Sequence, residues 1–379
     1  MKKKVLAVIM TAAMAVSVLA GCTSKYTVTP KTPEKEPQIT EVEPGSGEST
    51  DESNASGKPV TDRSGNAVTI PDEINAIVSM APSTTQILID LGLANKIIAC
   101  DTYSAASYGD VLTKDIPQFD MMTPDQEQII ALGADVVFTT GMSASHGEDV
   151  FASVKEAGVC VCDTPSSASL EDIQKDIEFF GAAVGKSDEA AKINEEMSAS
   201  IDEIKEIAAT IPEDEKKTVL FELFTPSGDT PTIYTAGSNT YINEMLEIVG
   251  AVNVAGKEAE QWPALTEEAA VAMDPQVILT ADMYTDDVIN VLLTMKGWEN
   301  VSAIKDKAVY QIDNDTVNRP NQHVISAMIE MGKDIYPDYY KDVVDPFAGD
   351  KADAASDAST VDAASDASSE EVAEEKPAA

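Results

Sequence analysis

Apolar residues along this chain follow two spacings. Short unbroken runs read as strands, at Ala76 to Met80, Lys96 to Cys100 and Val159 to Cys162, while returns every third or fourth residue predict helices over Thr84 to Leu91, Glu148 to Ala157 and Leu170 to Ala183. The second half repeats this alternation. A strand is expected over Thr218 to Phe224, then a turn at Tyr234 to Ser238, a helix over Thr240 to Val249, another over Asp286 to Met295, a strand over Ala308 to Ile312 and a last helix over Gln322 to Tyr336. Strands separated by helices predict parallel βα units, so the fold class is α/β.

Between the halves lies the longest helical pattern. Ser187 is the expected N-cap, Asp188 and Glu189 fall in the first turn, and Ala190, Ile193, Met197, Ile201, Ile204, Ala208 and Ile211 form one stripe that Pro212 ends. At about 1.5 Å per residue such a helix reaches from one domain to another.

One segment occurs twice. EQIIALGADVVFTT, from Glu127, aligns without a gap to EAAVAMDPQVILTA, from Glu268, at an offset of 141 residues (127 to 268). A second pair, APSTTQILIDL from Ala81 and AGSNTYINEML from Ala236, aligns at an offset of 155 (81 to 236), which puts extra chain inside the first half. Repeats this long mark a duplicated domain rather than a solenoid of short units. Two facing halves make a cleft, where small molecules bind.

The ends differ in composition from this body. Lys2, Lys3 and Lys4 precede an apolar stretch from Val5 to Ala20, which reads as an export signal over residues 1–22. The junction Leu19-Ala20-Gly21-Cys22 looks like a bacterial lipobox, whose cysteine is acylated and holds the chain on the outer face of the cell membrane. Residues 23–57, rich in Pro, Glu, Ser, Thr and Gly, are expected to be a disordered tether, and residues 348–379, with AASDAS repeated and a closing acidic run, a disordered tail. The expected divisions between them are an N-terminal lobe over 58–186, the bridging helix over 187–212 and a C-terminal lobe over 213–347.

A formal charge of −40, from 66 acidic and 26 basic residues, argues against nucleic acid as a partner. Histidine occurs only at His146 and His323, too few for a multi-histidine metal site. Nucleotide-binding and hydrolase motifs such as G-x-x-x-x-G-K-[ST] and G-x-S-x-G are missing, and no catalytic group, metal or cofactor is expected. Cys100, Cys160 and Cys162 leave two readings open: a bridge from Cys100 to one of the others, or buried free thiols.

The lipobox, Ala81-Pro82-Ser83 after a strand, the LGADVV segment from Leu132, Gln261-Trp262-Pro263 before Thr266, and Asn318-Arg319-Pro320 together resemble the substrate-binding lipoproteins of ABC importers for iron complexes and cobalamin, over about Val60 to Tyr340. That resemblance implies two Rossmann-like lobes joined by a single long helix, with the ligand in the cleft between them. It also implies that Glu127 and Glu268 dock into arginine pockets on the two permease subunits, where the bland alternative is a pair of helix N-terminal acids favoured by the dipole. For the cleft it implies Tyr103, Phe119, Trp262, Asp315 and Arg319, with Tyr234 added from the duplicated turn.

The cargo implied is a small metal chelate. Arginine occurs only at Arg63 and Arg319, which leans away from a highly anionic tricatecholate and toward a corrinoid such as cobalamin. Ferric siderophore and haem are the alternatives, the latter with Tyr103, His146 or Met80 as axial ligand. Asn321-Gln322-His323 departs from the family pattern of a glycine, a proline and a basic residue, which bears on specificity. A surface enzyme with a chelatase-like fold acting on tetrapyrroles, or an adhesin, are the competing classes.

Overall fold

The computed structural model describes residues 53–141, 149–227 and 231–348. The expected leader and Cys22, most of the tether, His146 and the acidic tail lie outside the described residues.

Five parallel strands form the first sheet: β1 Ile77–Ser79, β2 Ile97–Asp101, β3 Gln118–Phe119, β4 Val136–Thr140 and β5 Cys160–Thr164, in the order β3-β2-β1-β4-β5. In the second half β6 Thr218–Glu222, β8 Val252–Asn253, β10 Val277–Thr280 and β11 Val309–Gln311 form another parallel sheet, ordered β11-β10-β6-β8. The short strands β7 Thr232–Tyr234 and β9 Ala264–Thr266 pair antiparallel beside it. Run from the other edge, the second order is β8-β6-β10-β11, which is β2-β1-β4-β5 with each strand replaced by its counterpart. The halves are therefore duplicates in topology as well as in sequence.

The 141-residue offset holds residue for residue. Asp125 and Thr266 are the N-caps of helices Gln126–Ala131 and Glu267–Met273, and each side-chain oxygen accepts the third helical N–H, of Gln128 at 3.0 Å and of Ala269 at 3.2 Å. Both helices end in the left-handed region, at Gly133 with φ 65° and at Asp274 with φ 44°. Glycine adopts that backbone freely, whereas Asp274 is held there while its carboxylate accepts the N–H of Ser302 at 2.7 Å.

The 155-residue offset needs a correction. Helices Pro82–Asp90 and Tyr241–Val249 are both 9 residues long, so their starts are 159 apart (82 to 241) and the ungapped alignment slips by about one turn. A one-turn slip keeps the apolar stripe in place, which is why the sequence conceals it. The extra chain of the first half is helix Thr102–Tyr108 and the loop leading to β3.

The bridging helix spans Ser187–Ala208, 22 residues or about 33 Å. Its N-cap is Lys186 rather than Ser187. The preceding helix, Leu170–Val184, ends at Gly185 with φ 74°, and the Lys186 N–H turns back to the carbonyl of Gly181 at 2.6 Å, so the chain enters the next helix one residue early.

Alternation along the strands sorts side chains between cores. Ile77, Val136 and Phe138 of the first sheet and Val219, Phe221, Val277 and Leu279 of the second share one continuous core with Ile173, Ile177 and Phe180 of the helix before the bridge and with Met197, Ile201 and Ile204 of the bridge itself. The opposite faces have cores of their own, with Val78, Val137 and Val161 in one and Leu220, Ile278 and Val309 in the other. The lobes are joined by this shared apolar packing.

Residues before β1 strap the edge of the first lobe. Lys58 donates to the carbonyl of Ala183 at 3.0 Å, and Arg63 pairs with Asp176 at 2.6 Å. Asp62 accepts the Asp163 N–H at 2.9 Å. Cys100, Cys160 and Cys162 are all free thiols, which settles that open reading. Among the described residues no helix is long and apolar enough to cross a membrane.

Candidate functional site

In parallel α/β sheets the crevice lies beyond the carboxyl ends of the strands where their order reverses, here β1 with β4 and β6 with β10. Thr140, Thr164, Glu222 and Thr235 each carry a buried side-chain oxygen without a hydrogen-bond partner among the described residues, and all four stand at or just beyond strand ends. Buried polar atoms are seldom left this way, and these four join the strand ends to the candidate region, although Asn194, Asn321, Gln322 and Ser326 show the same feature elsewhere.

On the first lobe the site is built on Asp101, the last residue of β2. It is fully buried, caps helix Thr102–Tyr108 by accepting the N–H groups of Tyr103 at 2.9 Å and Ser104 at 3.0 Å, and accepts the Ser104 hydroxyl. Ser104 and Ser79 both bond Thr85 at 2.8 Å, which joins β1, its helix and β2 in one buried chain. Burial pushes the Asp101 carboxyl up, against the pull of its bonds to Ser104 and Tyr103. What this scaffold presents is the ring of Tyr103, 55% exposed.

Asp282 plays the same part on the second lobe. Though 2% exposed, it accepts the N–H groups of Thr225 at 3.0 Å and Tyr284 at 2.8 Å and the Thr285 hydroxyl at 2.7 Å. Burial acts to raise its carboxyl, but the bonds from Thr285, Thr225 and Tyr284 outweigh it and hold the group below the usual range. The loops it gathers place Phe224 and Tyr284 in a stack, centroids 6.3 Å apart and planes at 28°. With Tyr234, Thr225, Ser227, Thr232, Asp282 and Thr285 they line a recess of ≈ 280 Å³.

Trp262, 41% exposed, stands on the adjoining loop. That loop is stapled to the turn after β7 by Gly237 N–H to the Gln261 carbonyl at 2.8 Å and Ser238 N–H to the Glu258 carbonyl at 2.9 Å. A Cβ at position 237 would lie 1.8 Å from the Glu260 carbonyl, so only glycine fits this crossing.

Arg319 spans the seam. Its guanidinium holds Asp315 at 2.5 Å on its own lobe and donates across to the Tyr108 hydroxyl at 2.9 Å and Ser107 at 2.8 Å, with the Tyr108 ring 5.4 Å away. Asp315 and Arg319 are thus together but engaged with protein.

The expected aromatics separate by exposure. Tyr103, Tyr234 and Trp262 present open faces, whereas Phe119, in β3, is 5% exposed and buried in one cluster with Val78, Met80 and Ile129. Met80, an expected haem ligand, is fully buried. Phe224 and Tyr284 went unrecognised in the sequence, although each lies within four residues after a strand, the placement that singles out Tyr103 after β2. Glu127 and Glu268 are both exposed, each the second residue of its helix.

Residues 77–316 match the family described as periplasmic binding protein. An uncharacterised ABC transporter substrate-binding lipoprotein of Bacillus subtilis, YvrC, is 33% identical over 289 residues, covering 75% of this chain and 88% of that one. A cobalamin-binding protein of Halobacterium salinarum is 24% identical over 286 residues, 72% of this chain and 73% of its own. Among solved structures, the molybdate-binding protein MolA of Haemophilus influenzae superposes with a TM-score of 0.63 at 22% identity, covering 75% of this chain and 93% of that one. Two duplicated α/β lobes, a bridging helix and this similarity agree: the chain belongs to the periplasmic binding protein family and is an extracytoplasmic substrate-binding protein of an ABC transporter.

Proposed function

We propose that this chain is a lipoprotein, acylated at Cys22, that captures a metal chelate of the corrinoid class between its lobes and delivers it to a permease dimer through Glu127 and Glu268. The observation that carries the cargo assignment is the contrast between open aromatic faces and engaged charge in the seam. Tyr103 on one lobe, and Phe224, Tyr234, Trp262 and Tyr284 on the other, are 41–68% exposed, while Arg319 is already held by Asp315, Tyr108 and Ser107. Aromatic faces suit a broad, partly apolar ligand of low negative charge. A small oxyanion or a tricatecholate complex would instead call for free cationic donors.

A haem reading is favoured by one residue, Tyr103, whose exposed phenol is a chemically competent axial ligand. Titrating the purified full chain with cyanocobalamin, haemin, a ferric tricatecholate and molybdate separates these readings. The corrinoid is expected to bind one to one at micromolar affinity or tighter, with a shifted visible spectrum. Binding of molybdate or the tricatecholate without the corrinoid overturns the assignment, and a Soret shift abolished by Tyr103→Phe replaces it with haem.

A further inference from the structure

The segment from Asn314 to His323 does more than close β11. Besides the Arg319 bonds to Ser107 and Tyr108, Gln322 donates to Asp90 and the His323 imidazole bonds the same carboxylate at 2.9 Å. Asp90 ends the helix that follows β1, and Ser107 and Tyr108 end the helix that follows β2. One stretch of the second lobe therefore grips the far ends of the two first-lobe helices that begin at the crevice. Arg319 is well suited to this, since its planar fork directs several N–H groups at once. An ion pair with Asp315 alone would be a local i,i+4 contact just past a short helix, worth little at a surface. Here the guanidinium side chain is 11% exposed and two of its bonds leave its own lobe.

Two neighbours indicate that the grip is not fully satisfied. Asn321 and Gln322 are at most 1% exposed, yet the Asn321 amide nitrogen and the Gln322 amide oxygen have no hydrogen-bond partner among the described residues. Polar atoms sealed without partners oppose the contact that seals them, so the seam is a contact with an internal cost and opens more readily than a fully paired one.

We propose that Asn314 to His323 is an inter-lobe latch in which Arg319 is a positioning residue, holding helix Thr102–Tyr108, and with it Tyr103, at a set distance from the aromatic wall of the second lobe. This rests on the reading that cargo lies between the lobes, and it assigns Arg319 a role in setting the aperture in place of direct ligand contact. The latch binds Tyr103 to the second lobe through the seven-residue helix that Asp101 caps.

The test uses the full chain and two readouts. In the ligand-free protein, amide hydrogen exchange over residues 102–108 is expected to rise about tenfold in Arg319→Ala, less in the milder pair Ser107→Ala with Tyr108→Phe, and to recover in part in Arg319→Lys. Cyanocobalamin affinity is expected to fall about tenfold in Arg319→Ala, with no further loss when the Ser107 and Tyr108 changes are added to it. Unchanged exchange with weakened affinity, or additive losses, would show Arg319 acting on ligand directly and overturn the latch. Exchange is read without ligand, so a wild-type chain that binds no corrinoid refutes the cargo assignment alone.

Discussion

Glu222 ends β6 with 2% exposure, one carboxylate oxygen unpartnered, and Asp282 close by. Burial pushes its carboxyl up to about 7, against the pull of its bond to Thr280, and the neighbouring Asp282 charge adds to the rise. Below pH 4.5 the group is protonated in both folded and unfolded chains and costs nothing. As pH climbs from there to about 7, the unfolded chain releases the proton and the folded one keeps it, so this group withdraws stability, up to about 3 kcal/mol at about 1.4 kcal/mol per unit. Glu222→Gln keeps an acceptor for Thr280 and removes the ionisation. Its melting temperature is expected to exceed the wild type's by several degrees at pH 8 and to match it at pH 4.5. Melting curves that run parallel across that range would contradict the burial account.

Among the elements, the strap before β1 is anchored by Lys58, Asp62 and Arg63, all inside the first lobe expected from the sequence. Its strongest anchor is Arg63 on Asp176, a carboxyl that burial lifts to about 6 even with the guanidinium pulling it down. Arg63→Ala strands that buried charge and is expected to cost about 3 kcal/mol in urea unfolding at pH 8. Without the guanidinium the carboxyl is lifted further, so the loss should shrink as pH falls from 8 toward 6, where the variant's Asp176 already holds its proton, and change little below that. Legibility varied from element to element. The unit from Glu127 and its copy from Glu268 were readable as helix running into strand, because helix period and the apolar strand run pointed one way, while the caps Asp125 and Thr266 came only with the structure. The pair of helices after β1 and β6 was misaligned by a turn, since a 3.6-residue period looks alike at both registers. Strands β7 and β9 were hidden because two three-residue strands carry too little alternation to register. Phe119, expected at the cleft, is buried in the core under the first sheet, because a ring at a strand end fits either face and only the sheet's other layer decides which. Arg319 is expected from the sequence as a ligand contact, but its observed partners, Ser107 and Tyr108, are more than 200 residues away in sequence and no local pattern could name them.

For the molecule as a whole, duplication sets where matched features can stand. Glu127 and Glu268 each occupy the second position of a helix capped by the residue before it and followed by a core strand, β4 or β10, and these strands are counterparts in their sheets. Two equivalent acids on a pseudo-twofold protein suit a permease whose two subunits present like pockets, because one geometry then satisfies both contacts. Both side chains are exposed on the first turns of their helices, so docking and capture are expected to be separable. Glu127→Arg combined with Glu268→Arg reverses charge at both sites at a folding cost of under about 1 kcal/mol each through the helix dipole. In cells the double variant is expected to abolish cargo uptake and each single variant to weaken it, while corrinoid affinity of the purified chain stays within about twofold of wild type. Equal uptake in the double variant would mean that the acids merely favour their helices, and a parallel fall in affinity would place them in the binding machinery instead of on the face turned toward the permease.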